Sequence, residues 1–169
     1  MGDDGGSGSL WPQILLIIIL TALNAIFAAT EMAVVSLNRN KINSMAEEGD
    51  KKAKTLLSLM NDQTRFLSTI QVGITFAGFL SSAAAATSMS SGVGRLLTSI
   101  GVPSGESVAV VIITVIISYI SLVFGELVPK RIALQNSEGV ATAVAGFISF
   151  LSKVLIPFSA FLSISTKLV

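Results

Sequence analysis

Hydrophobic positions in this chain fall into long runs, and the charged positions are bunched in the gaps between them. Residues 5–30 carry no charge, and the apolar stretch from Leu10 to about Leu37 is one such run. An α-helix rising about 1.5 Å per residue over that stretch crosses a hydrocarbon core of about 30 Å. A second charge-free run extends from Phe66 to Gly94, with its helical part expected from Phe66 to about Ser88. A third, rich in Val and Ile, runs from Ser107 to Gly125 and meets Glu126. The pattern therefore predicts spans at about 10–37, 66–88 and 107–126. In the first gap, residues 38–65, Ile42, Met45 and Ala46 and then Ala53, Leu56, Leu57 and Met60 recur at helical spacing on either side of Gly49-Asp50. Gly can end one helix there and Asp can cap the next, so this gap is expected to be a helical hairpin. From Glu138 the chain is apolar again, but Lys153 divides it and Pro157 follows. The preferred reading is a juxtamembrane helix at about 138–168 lying in the interface as a belt, with a fourth crossing as the alternative. Met1–Ser9, rich in Gly, Ser and Asp, reads as a flexible extracellular tail and not as a signal peptide, because it lacks a basic start.

Composition fixes the class. Of 169 residues 51% are hydrophobic and 12% charged, with a mean hydropathy of +0.78, whereas soluble domains carry about 25% charge. The expectation is an all-α integral membrane protein with three transmembrane helices, the helical hairpin and the belt helix. A net charge of +1 spread this thinly provides no basic face for nucleic acid. The absence of Cys and His removes disulfides, thiolate nucleophiles, His-based triads and nearly all zinc chemistry. An enzyme is not expected, since no Ser or Thr has an evident activating base. Any bound metal must be a hard cation on oxygen ligands. The first gap holds Arg39, Lys41, Lys51, Lys52, Lys54 and Arg65, whereas the second holds only Arg95. The positive-inside rule then puts the hairpin in the cytoplasm, the N-terminus outside and the C-terminus, past Lys130 and Arg131, inside. No repeat with a period of about 20–50 residues is visible, so an inverted-repeat transporter plan has no support.

Polar residues inside spans cost free energy in lipid unless they face a partner, a cavity or an ion. In span one, Thr21, Asn24, Ala28 and Glu31 share one helical face. Asn24 lies deep enough for a ligand or pore role, while Glu31 lies near Arg39, where an interhelical hydrogen-bond patch competes with a pore role. In span two, Thr69, Gly73 and Ala77 share a face, and Gln71, Thr75, Gly78 and Ser82 share another. These small residues permit close helix packing, while the hydroxyls of Ser68 and Thr69 are candidate cation ligands. Span three ends in Gly125-Glu126-Leu127-Val128-Pro129-Lys130. Pro129 has no N–H for the Gly125 carbonyl, so the last turn is expected to open and leave backbone oxygens beside the Glu126 carboxylate. The competing reading is an ordinary ion pair between Glu126 and Lys130 one turn on.

Three strings carry a resemblance: Leu23-Asn24-Ala25-Ile26-Phe27-Ala28-Ala29-Thr30-Glu31-Met32-Ala33; Phe66-Leu67-Ser68-Thr69-Ile70-Gln71-Val72-Gly73-Ile74-Thr75; and Gly125-Glu126-Leu127-Val128-Pro129-Lys130 with Ala133. In this order and at these separations the chain resembles, from about Leu10 onward, the transmembrane domain of the CNNM/CorC family, whose bacterial members are often called haemolysin-like. The resemblance implies a homodimeric magnesium transporter of the plasma (inner) membrane, with a pair of ATP-binding cystathionine β-synthase domains following in full-length relatives. On that basis residues 10–169 are expected to form such a membrane domain. The resemblance makes Glu126 the ligand of dehydrated Mg²⁺, with the Gly125 carbonyl beside it and Ser68 or Thr69 supplying a hydroxyl. Where the family commonly has Ser in span one this chain has Ala28, and Asn24, a turn earlier, is the expected substitute. Ile74 likewise stands where eukaryotic members have Asn.

The function that follows is Mg²⁺ export coupled to Na⁺ through a site near mid-membrane. With one carboxylate the site is left with net positive charge by Mg²⁺ and neutral by Na⁺, which makes exchange chemically reasonable. The alternative is a membrane Mg²⁺ sensor or scaffold that carries no flux itself. The small-residue face of span two, with Gly73, Ala77 and Gly78, is the expected homodimer contact.

Overall fold

The computed structural model describes residues 10–147 and 150. Its elements are α1 (Leu10–Val35), α2 (Arg39–Glu47), α3 (Lys51–Asn61), α4 (Gln63–Ser99), α5 (Gly105–Leu122), a π-helical segment (Val123–Leu127) and α6 (Val128–Gln135). Residues 137–147 are helical again. Trp11–Val35, Gln63–Ser99 and Gly105–Gln135 are long and apolar enough to cross a bilayer. The molecule is an all-α, multi-pass membrane protein with three such helices among the described residues. Leu15, Ile18, Phe79, Val111, Val115 and Tyr119 point outward from them, each more than half exposed, as side chains do when the solvent is lipid.

Two spans differ from the sequence expectation. The helix expected to stop near Ser88 continues to Ser99, so Arg95 belongs to α4 and not to a loop. At 37 residues α4 is about 55 Å long and overshoots the hydrocarbon core. Packing extends it: a Cβ on Gly94 would lie 2.7 Å from Glu106 Cα, and one on Gly105 would lie 2.6 Å from the Gly94 carbonyl oxygen. Only glycines let the ends of α4 and α5 touch backbone to backbone. Span three, expected to end at Glu126, runs on through α6. Pro129 does not break it: it falls in the first turn of α6, directly after a π segment that has already left the i−4 register. The π segment takes up the mismatch, with Val128 N–H donating five residues back to the Val123 carbonyl.

Between α1 and α4, Asn38 caps α2 by accepting from the N–H groups of Asn40 and Lys41, and Asp50 caps α3 from those of Lys52 and Ala53. Gly49, at φ +100°, turns the chain between them. The apolar stripe of α2, Ile42 and Ala46, and that of α3, Ala53 and Leu56, are buried with Val34, Phe66 and Ile70 in one core. Small residues set its closeness: Ala28, Ala33, Ala133 and Ala141 are fully buried. Phe27 is held between α4, where a Cβ on Gly73 would meet its ring at 3.1 Å, and Phe147 at a ring-centroid distance of 6.2 Å. The expected belt helix is described only through 147 and at 150. The rest of it, the fourth-crossing alternative and the 1–9 tail lie outside the described residues.

Candidate functional site

Three charged residues of spans one and three, Glu31, Glu126 and Lys130, meet at one place. Lys130 Nζ donates to Glu126 Oε1 at 2.9 Å, one turn back along span three. The same nitrogen lies 3.1 Å from Glu31 Oε2 on α1, close enough for an ion pair but without hydrogen-bond geometry. All three side chains are largely covered, at 21–31% exposure. The competing reading of Glu126, an i, i+4 partner of Lys130, is thus the arrangement observed, and Glu31 joins it from another span. One ammonium between two carboxylates leaves the cluster with an excess negative charge inside a helix bundle. Isolated charges there are expensive, so groups this close are held by mutual pairing.

One turn deeper, α1 presses against the π segment. A Cβ on Gly125 would lie 2.9 Å from Asn24 Nδ2 and 3.5 Å from Thr21 Cγ2. Asn24 is buried, and its Oδ1 has no hydrogen-bond partner among the described residues. A buried acceptor left unpaired costs about 1–3 kcal/mol, and this one belongs to the side chain that packs on Gly125 in the π segment. The Thr21, Asn24, Ala28 and Glu31 face therefore addresses span three: Asn24 meets Gly125, and Glu31 meets Lys130. Ala28 is fully buried and offers no oxygen.

Span two divides its candidates. Thr69 is buried, whereas Ser68, Gln71 and Thr75 lie on the exposed side of α4. Gly73 packs on Phe27, away from Gly125. Ser82, half-buried, approaches Ser118 of α5 with 3.4 Å between hydroxyl oxygens. Sequence reasoning gave no role to the hydroxyls of Thr30 and Ser121, which, like that of Ser81, are buried and without a partner among the described residues. For Ser121 a signal existed, since it precedes Gly125 by one helical turn on the same face. Among the described residues no three acidic side chains gather around one point. A cation held at this end of the bundle would take carboxylate oxygen from Glu126 and Glu31 and complete its shell with amide, carbonyl, hydroxyl or water oxygen. That donor set suits hard ions.

Fold and cluster together define a class: a multi-pass helical membrane protein with a cluster of paired charges between its first and third spans. Residues 15–169 match the family model described as the cyclin M transmembrane N-terminal domain, CNNM, and the chain belongs to that family. Among similar proteins, the UPF0053 protein sll0260 of Synechocystis is 34% identical over 96% of this chain and 37% of its own length. UPF0053 protein YugS of Bacillus subtilis is 28% identical over 86% of this chain and 34% of its own. A protein of Haemophilus influenzae named polyamine export protein is 26% identical over 83% and 33%. The chain thus spans about a third of the length of these relatives.

Proposed function

We propose that this chain is the ion-handling part of a transporter that exports Mg²⁺ across the plasma (inner) membrane in exchange for Na⁺. The observation that carries the reading is the junction of Asn24 with the π segment. There a buried amide whose oxygen has no partner among the described residues packs against Gly125, the residue before Glu126. Mg²⁺ asks for about six oxygens at about 2.0–2.1 Å, and Glu126, the Gly125 carbonyl, Asn24, a span-two hydroxyl and retained waters answer that demand. Thr69 suits the hydroxyl role better than Ser68 because it faces the bundle. The magnesium is cargo, held by few charges and so releasable. The protein works without enzymatic chemistry, as a homodimer with its N-terminus outside, residues 38–65 in the cytoplasm and cystathionine β-synthase domains as cytoplasmic partners in full-length proteins.

Flux measured in proteoliposomes containing this protein alone tests the reading. Mg²⁺ movement that needs a Na⁺ gradient and disappears in Glu126→Gln is the expected result. Mg²⁺ binding without flux would instead establish the sensor or scaffold alternative. A second reading rests on Lys130: a primary ammonium seated between two carboxylates is how one end of a polyamine would be held, and one relative is named for polyamine export. Uptake of a labelled diamine by the same vesicles, without Mg²⁺ flux, would favour it.

A further inference from the structure

We infer that Lys130 is a tethered counter-cation, occupying the carboxylates of Glu31 and Glu126 when no ion is bound and leaving them when one arrives. The inference rests on the cation-transport reading of the same site. Its ground is geometric. Lys130 Nζ is within 3.1 Å of carboxylate oxygens from two different spans, so a single ammonium neutralises part of a charge pair that would otherwise repel across the helix contact. A divalent cation that reaches Glu126 meets this ammonium at the same oxygens. If Lys130 stays, the cluster passes from excess negative to excess positive charge; if it leaves, two carboxylates balance the ion.

The lysine has the means to leave. Its charge rides on a flexible four-carbon stem. Five residues after it, α6 ends at Gln135, about 8 Å further along the axis, within the range over which lysines in membrane helices extend their heads toward the interface. A short side chain would lack this reach, and a guanidinium would hold the carboxylates through a fork of donors that is harder to displace. The π segment contributes as well. Its extra residue sets the rotation that lets position 130 face both Glu126 of its own helix and Glu31 of α1. An ion can shift an equilibrium between docked and released lysine only through unequal affinity for the two states, and competition for the same oxygens provides that inequality.

The accessibility of the Lys130 amine reports the exchange directly, without reference to transport. The purified full chain in detergent is treated with a small amine-acylating reagent, with and without MgCl₂, and the acylation rate at Lys130 is read by mass spectrometry against Lys51 and Lys52. Mg²⁺ should raise the Lys130 rate several-fold while leaving the reference lysines unchanged. In Glu126→Gln, where one partner is gone, the rate should be high from the start and insensitive to Mg²⁺. Lys130→Met should bind Mg²⁺ more tightly than wild type in calorimetric titration, and Lys130→Arg should bind it no more tightly. If Mg²⁺ binds the wild type but leaves Lys130 acylation unchanged or slows it, the tethered-cation inference is overturned and the ion site survives. If Mg²⁺ produces neither heat nor thermal stabilisation in the wild type, the site reading itself falls and this inference falls with it. Should Lys130→Met not fold, the wild-type acylation experiment decides alone.

Discussion

Gly125 against α1 and Gly105 against α4 both bring helices into near contact, and the two junctions use that closeness differently. At Gly105 the neighbours are backbone and a hydroxyl already spent: Thr98 Oγ1 donates to the Gly94 carbonyl at 2.9 Å, and Glu106, which packs its Cα and Cγ on Gly94, makes no ion pair among the described residues. At Gly125 the neighbour is a side-chain amide whose oxygen finds no partner, and the charged cluster begins at the next residue. The same small residue therefore serves a satisfied joint in one case and an unsatisfied recess in the other. Satisfied polar groups hold a fold together, whereas a buried orphan persists only against a cost that some ligand or state must offset.

The sharpest way to break this comparison is at the satisfied joint. In Gly105→Ala the new Cβ would meet the Gly94 carbonyl at 2.6 Å and Thr98 N at 2.8 Å, atoms that cannot yield without moving a helix. Overpacking of this kind costs about 1–3 kcal/mol, so the unfolding midpoint should drop clearly, while any stabilisation by added Mg²⁺ is retained in full. Equal loss of ion response in this variant would erase the distinction between the two junctions. A smaller and opposite effect is expected from Asn24→Leu, which removes the orphaned acceptor at similar volume. The ion-free protein should be as stable as wild type or about 1 kcal/mol more so, yet Mg²⁺ affinity should fall several-fold in titration. Marked destabilisation with unchanged affinity would make Asn24 a packing residue. Smallest of all is Lys41→Ala. Its 2.7 Å pair with Glu138 joins α2 to the helix of residues 137–147, but both side chains are about half exposed. Such pairs contribute under about 1 kcal/mol and weaken with salt, so a midpoint change should be slight at low salt and vanish at high salt.

How far the sequence could be read depended on the range of each cause. Spans one, two and three announce themselves because charge is absent over whole helices, a local property of the string. The Gly49-Asp50 turn is equally local, one residue supplying positive φ and the next a capping carboxylate. The reach of α4 to Ser99 was hidden because glycines at 92 and 94 look like an ending, whereas in the bundle Gly94 is the surface on which Gly105 lands. Pro129 looked like an ending as well. That a five-residue π segment just before it lets the helix run on is decided by hydrogen-bond register, which residue types alone do not encode. For the site, the Asn24 and Glu31 stripe and the Glu126, Lys130 spacing were each visible, but nothing in the string joined them. The link from Glu31 to Lys130 crosses between helices far apart in sequence, and only packing through Ala28, Ala33 and Ala133 brings them within ion-pair distance.

The π segment also gives span three two phases. Each residue of an α-helix advances the side-chain direction by about 100°, so one surplus residue in Val123–Leu127 sets everything below it a full step out of register with everything above. Ser121 and Ala109 keep to the upper phase, and Pro129, Lys130 and Ala133 keep to the lower one. The span thus behaves as two helices sharing a spindle. A return of the wide turn to ordinary winding would swing the lower half round without unfolding either half, carrying Lys130 off Glu31 by rotation alone.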